Sequence, residues 1–150
     1  DLQDPEAIAN WPRTLGRDGA RTPMPWTKGN TFAGFSESKP WLPVGQGHAE
    51  LAAAEQESDP GSVLNFTRAM VKLRAGSAAL RLGEVDFPEI PDPLLALRRT
   101  LGGETVLCLF NLGTEDVAVP QDLTAGAKPL ISSAPVVKTL PRHGVWIGRL

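Results

Sequence analysis

Gly16-Arg17-Asp18-Gly19-Ala20-Arg21-Thr22-Pro23-Met24-Pro25-Trp26 is the stretch whose reading decides how this chain is understood. It places two guanidinium groups four residues apart, puts an acid beside the first, and closes with two prolines and a tryptophan. Proline fixes φ near −65° and removes a backbone donor, so the segment reads as a loop held in one shape rather than a helix or strand. Arginines on a stiffened loop suit planar, multidentate recognition of hydroxyls or carboxylates.

The surroundings bound what such a loop serves. The chain has 150 residues, 41% of them hydrophobic, with 15 basic and 17 acidic side chains and a formal charge of −2. The basic residues are dispersed, which gives no reason to expect nucleic acid or an anionic membrane as partner. No apolar run approaches the ~20 residues that span a bilayer. The acidic opening Asp1-Leu2-Gln3-Asp4-Pro5 does not read as a signal peptide. The lone Cys108 lies in the apolar run Val106–Phe110 and reads as a buried structural thiol, which fits a reducing, cytoplasmic compartment. His48 and His143 have no partners at metal-ligand spacing, so neither a metal nor a cofactor is expected.

The local pattern changes along the chain. Asp4 as N-cap and Pro5 at the first helical position predict a short helix to Asn10. From Trp11 to Gly47 prolines and glycines recur too often for a regular element, and residues 48–57 are at most weakly helical. A helix is predicted over 59–75, capped by Ser58 or Asp59 and stopped by Gly76, with Val63, Phe66, Met70 and Leu73 on one stripe and Leu64 and Val71 on a second. On that helix Arg68 and Lys72 are expected to be solvated or paired. Seven short strands follow: Gly83–Phe87, Leu94–Arg99, Thr105–Phe110, Val117–Val119, Ala127–Ile131, Val136–Leu140 and Val145–Arg149. Leu101-Gly102-Gly103-Glu104 is a hairpin turn between the second and third. This spacing suggests an antiparallel sandwich.

Three further motifs follow the arginine block in order: Phe32-Ala33-Gly34-Phe35-Ser36, Lys39-Pro40-Trp41-Leu42-Pro43-Val44, and Leu64-Asn65-Phe66-Thr67-Arg68 through Leu73-Arg74 to Ala79-Leu80. Together the four motifs resemble the α-glucosidase branch of the α-amylase superfamily, glycoside hydrolase family 13, from Leu2 to roughly Gly83. The resemblance implies a mainly β chain, an antiparallel β-sandwich of the α-amylase C-terminal type preceded by the last loop and helix of a (β/α)8 barrel. Residues 1–80 would then end the catalytic barrel and 81–150 would form the sandwich domain. It also implies a longer polypeptide, of which this is the C-terminal part. Ala20, Thr67 and Ser77-Ala78 stand where many members carry cysteine, tyrosine and His-Pro.

A retaining glycosidase needs a carboxylate nucleophile and a carboxylic acid on opposite sides of the scissile bond. The family's motifs for these carboxylates do not occur here, so no catalytic residue is expected in this chain, and alone it is expected to be inactive. The resemblance assigns Arg17 to the hydroxyls of a non-reducing glucose, with Arg21 as a second candidate contact. Asp18, Pro23 and Trp26 would structure the loop. Read from the residues alone, Arg17, Asp18 and Arg21 fit a purely structural ion-pair knot equally well. Trp11, Trp26 and Trp41 are expected to pack beneath the loop rather than stack on sugar, and Trp146 to sit in the core. The implied reaction is retaining hydrolysis of terminal α-linked glucose from oligosaccharides. Trehalose synthase, sucrose isomerase and a non-catalytic carbohydrate-contacting module are the alternatives. A barrel helix without its barrel exposes an apolar stripe, so the isolated chain is expected either to self-associate through residues 59–80 or to leave much of 10–58 poorly ordered.

Overall fold

The computed structural model describes residues 2–13, 15–133 and 138–150. The chain forms two compact units that divide after Arg68. The first is mostly loop; the second is mostly antiparallel sheet with a few short helices.

In the first unit, α1 spans Pro5–Asn10. Asp4 caps it in the expected manner, its side chain accepting from the N–H of Glu6 at 3.0 Å. Between α1 and residue 47 the only helical segment among the described residues is one 3₁₀ turn, Asp18–Ala20. A second 3₁₀ turn at His48–Leu51 leads into α2, Ala53–Ser58. Ala52 precedes α2 and has no side chain with which to cap it. The carbonyls of Pro25 and Trp26 accept from Ala53 and Ala54 at 3.0 and 3.1 Å instead, satisfying donors that a helix start leaves open. The following helix, α3, runs Val63–Gly76 and crosses from one unit into the other. It begins four residues later than the sequence pattern suggests. Asp59 spends its carboxylate on the N–H of Gly61 in a tight turn, and Ser62 takes over as cap, accepting from Asn65 at 3.2 Å. Proline at position 60 belongs to that turn rather than to the helix. On α3, Arg68 pairs with Glu57 at 2.7 Å, while Val63 and Val71 face solvent.

In the second unit, α4 (Ala78–Leu82) is capped by Ser77, whose hydroxyl accepts from Leu80 at 3.1 Å. The strands are β1 (Glu84–Asp86), β2 (Leu94–Leu101), β3 (Glu104–Asn111), β4 (Val117–Ala118), β5 (Lys128–Ser132), β6 (Thr139–Leu140) and β7 (Val145–Arg149), with the short α5 (Gln121–Thr124) between β4 and β5. Five make one antiparallel sheet in the order β1-β2-β3-β7-β5, and β4 and β6 pair as a separate ribbon. The strand expected from Val136 begins outside the described residues; Thr139 and Leu140 form its described end. The β2–β3 turn forms with φ of 57° at Gly102 and 86° at Gly103. Positive φ at both central residues is the hairpin geometry that matches strand twist, and it is cheap only for glycine-like positions.

Side-chain alternation divides β3 between two cores. Leu107 and Leu109 join Leu94, Ala96 and Trp146 on one face, covered by Val119 and Leu140. Val106 and Cys108 join Ile147 on the other, covered by Ala79 and Leu80, with Met70 and Leu73 against them. Asn111, also buried, donates its amide to the carbonyls of Glu115, Leu140 and Pro141, fixing the ribbon side to the end of β3. Cys108 is a buried free thiol, and burial pushes its pKa up to about 11. Such a thiol stays protonated and unreactive, as the sequence pattern implies.

Three of the tryptophan expectations fail. Trp11, Trp26 and Trp41 are 65, 52 and 63% exposed, and Phe35 is half exposed, whereas Trp146 is 1% exposed. In the loop unit the prolines and turns hold the backbone by its own hydrogen bonds, and among the described residues no sheet lies there to receive an indole.

Leu109→Ala is expected to destabilise the fold by about 2–5 kcal/mol, the usual cost of a buried large-to-small change. Val85→Ala, on edge strand β1, is expected to stay within about 0.5 kcal/mol. Urea unfolding of both variants checks the contrast.

Candidate functional site

The arginine block is organised by a carboxylate that lies outside it. Asp4 is 1% exposed. One of its oxygens caps α1; the other, Oδ2, accepts from the backbone N–H of Arg17 at 3.1 Å and from the Arg17 Nε at 3.2 Å. The Arg21 Nη1 lies 3.8 Å from the same oxygen, an ion pair without a hydrogen bond. In the other direction, Asp18 Oδ2 accepts from the N–H groups of Gln3 and Asp4 at 2.7 and 2.9 Å. Each acid therefore binds the backbone beside the other, and the two chain segments are stapled twice.

The Nε bond decides which part of Arg17 remains free. Its side chain is 65% exposed, and its terminal nitrogens hold no hydrogen bond among the described residues. A guanidinium fixed at Nε presents its Nη1 and Nη2 donors in a set plane. Gly16 lets this approach happen, because a Cβ there would overlap the Cβ of Ala7 on α1. A cavity of about 270 Å³ lies alongside, lined by Leu2, Ala7, Trp11, Arg13, Gly16, Asp18 and Gly19. Asp18 Oδ1 is buried without a partner.

The remaining candidates take distinct places. Pro23 is buried and Trp26 half exposed. Trp26 holds the loop through its backbone, donating to the Ala33 carbonyl at 2.7 Å as well as accepting from α2. Ala33 and Gly34 turn the chain there with φ of 51° and 72°. Among the described residues no group of three or more His, Cys, Asp or Glu is placed to hold a metal. Sequence reasoning read Asp4 only as a helix cap; its role as the partner of both arginines went unread.

Residues 1–83 match the family described as Alpha amylase, catalytic domain. The chain belongs to the α-amylase family. Within that family it is 47% identical over 115 residues to a probable alpha-glucosidase of Rhizobium meliloti (strain 1021), a match covering 77% of this chain and 21% of that protein. It is 35% identical over 131 residues to a glucan 1,6-alpha-glucosidase of Streptococcus dysgalactiae subsp. equisimilis, covering 85% of this chain and 24% of the relative. Among solved structures, the alpha-glucosyl transfer enzyme XgtA superposes with a TM-score of 0.82 at 36% identity over 99% of this chain and 29% of that one. The trehalulose synthase MutB from Pseudomonas mesoacidophila MX-45 gives 0.78 at 29% identity over 91% and 26%. The chain thus spans between a fifth and a third of the length of these family members. No helix among the described residues is long and apolar enough to cross a membrane.

The pH dependence of the staple follows from Asp4. Hydrogen bonds from the N–H of Arg17 and then of Glu6 hold its carboxyl below the ordinary 3.8, the Arg17 guanidinium adds to them, and burial opposes. A depressed folded-state pKa gives stability that is present above about pH 4 and is lost as pH falls through the lowered value. Asp4→Asn is therefore expected to lower the thermal midpoint by several degrees at neutral pH. It should also flatten its decline between about pH 4 and pH 2, read from melting curves across that range.

Proposed function

We propose that this chain is the C-terminal part of a retaining α-glucosidase that removes terminal α-linked glucose from oligosaccharides. Arg17 forms part of its glucose-binding wall. The observation that carries the reading is the Asp4-anchored guanidinium, fixed through Nε with its terminal donors outward. Arg17 and Arg21 are matched in number by Asp4 and Asp18, which lessens the pull of the pair on anions, while Arg13 leaves one positive charge on the cavity wall. Arg21 is the second candidate contact, 41% exposed beside the same acid. Asp18 and Pro23 shape the loop, and Trp26 does so through its peptide groups.

In this reading residues 1–80 complete the catalytic barrel and 81–150 form the C-terminal β-sandwich, the five-stranded sheet and the β4–β6 ribbon enclosing its core. The catalytic carboxylates belong to the missing N-terminal barrel. The glucosidase names of the sequence relatives support hydrolysis as the reaction. The names of XgtA and MutB favour glucosyl transfer or trehalulose synthesis as the second reading. The reduced, buried Cys108 is in keeping with a cytoplasmic enzyme.

A chimera tests the proposal: the Rhizobium meliloti protein with its aligned region replaced by this chain. It is expected to release glucose from a synthetic α-glucoside. Arg17→Ala in it is expected to raise KM by about 10–100-fold, the loss of charge-assisted hydrogen bonds to a hydroxyl. An unchanged KM would remove Arg17 from the sugar wall, and product analysis with sucrose separates hydrolysis from isomerisation. Alone, the chain is expected to be inactive and to self-associate through residues 59–80, where Val63 is 76% exposed. Sedimentation of Val63→Glu against the parent chain checks this.

A further inference from the structure

Asp4 does more for Arg17 than offset its charge. At 1% exposure its carboxylate is out of reach of a ligand, so whatever it contributes to recognition passes through the groups it holds. It holds Arg17 twice, at the backbone N–H at 3.1 Å and at Nε at 3.2 Å, and so fixes both the root and the plane of the guanidinium. Arg21 is held more loosely, 3.8 Å from the same oxygen. A steric fit sets the approach as well. Ala7 follows Asp4 on α1 and is buried, and a Cβ on Gly16 would collide with the Cβ of Ala7. Gly16 is not among the glycines with positive φ, so clearance rather than backbone freedom is what it supplies.

The geometry points to Asp4 as a positioning residue for sugar recognition: it grips Arg17, the Ala7–Gly16 contact sets how closely, and together they tune affinity for a glucose unit they do not touch. The inference rests on the reading above that Arg17 forms part of a glucose-binding wall. An arginine side chain free to rotate loses conformational entropy when it engages a hydroxyl, whereas one already held at Nε loses little. Loosening the grip therefore weakens binding and leaves in place every group that touches the sugar or does chemistry on it. The signature is a change in KM at constant kcat.

The chimera described above tests this, with KM, kcat and the inhibition constant of free glucose measured well below its melting temperature. Asp4→Asn is expected to raise KM and the glucose inhibition constant by about 3–10-fold, with kcat held within about twofold. Added to Arg17→Ala, the same change is expected to have less than about a twofold further effect on KM, because the side chain it positions is gone. Gly16→Ala keeps every charge in place and carries the test even where Asp4→Asn fails to fold. It is expected to raise KM about threefold, and Ala7→Gly added to it is expected to restore most of that loss. Effects of Asp4→Asn and Arg17→Ala that multiply in the double variant overturn the inference, as does a Gly16→Ala defect that Ala7→Gly leaves untouched. A raised KM in Arg17→Ala beside an unchanged KM in both Asp4→Asn and Gly16→Ala also overturns it, and keeps the glucose-wall reading intact. An unchanged KM in Arg17→Ala removes that reading and the inference with it.

Discussion

The buried carboxylate of Asp4 is the constraint from which the loop unit is built. A carboxylate with 1% exposure is tolerable only when its oxygens are fully engaged. Here one oxygen starts α1 and the other gathers Arg17 and Arg21. Asp18 returns the contact by binding the peptide groups of residues 3 and 4. A segment with almost no hydrophobic core thereby acquires a defined shape from two charged staples. The cost is that the loop's geometry depends on ionisation, and so on pH, more than a packed core would.

The sheet unit is built on the opposite principle. Strand β3 is apolar on both faces, so it reads as an unbroken hydrophobic run and sits at the centre of five strands. Its even and odd side chains feed two separate cores, one beneath the β4–β6 ribbon and one beneath α4 and the end of α3. Burial of this kind is insensitive to pH. It also explains why Cys108 is inert: the same surroundings that hide the thiol disfavour its thiolate.

What was legible in the sequence tracks how local the deciding interactions are. The Gly102-Gly103 turn, the β2 and β3 strands and the Asp4 cap are settled within a few residues, and all form where the pattern puts them. The start of α3 moved because three neighbouring side chains, Ser58, Asp59 and Ser62, compete to cap it; only the fold of the turn chooses Ser62. Asp4 as partner of Arg17 spans thirteen positions, across α1 and the loop after it, and no periodicity encodes that distance. The tryptophans misled for a related reason. Their usual burial is an average over cores, and Trp11, Trp26 and Trp41 lie where backbone hydrogen bonds rather than packing hold the chain.

The charge arithmetic of the arginine block bears on what kind of ligand it suits. An isolated pair of arginines would draw carboxylates and phosphates ahead of any neutral molecule. Matching them with two carboxylates weakens that long-range preference while leaving short-range directionality in place. Because the Asp4 contact is made at Nε, neutralisation costs Arg17 none of its terminal donors. A site organised in this way discriminates by the positions of hydroxyl groups rather than by charge, which is what separates one neutral sugar from another. Recognition and chemistry are then separable tasks. A loop stiffened by ion pairs suits the first, and under the proposed function the carboxylates for the second act from outside this chain.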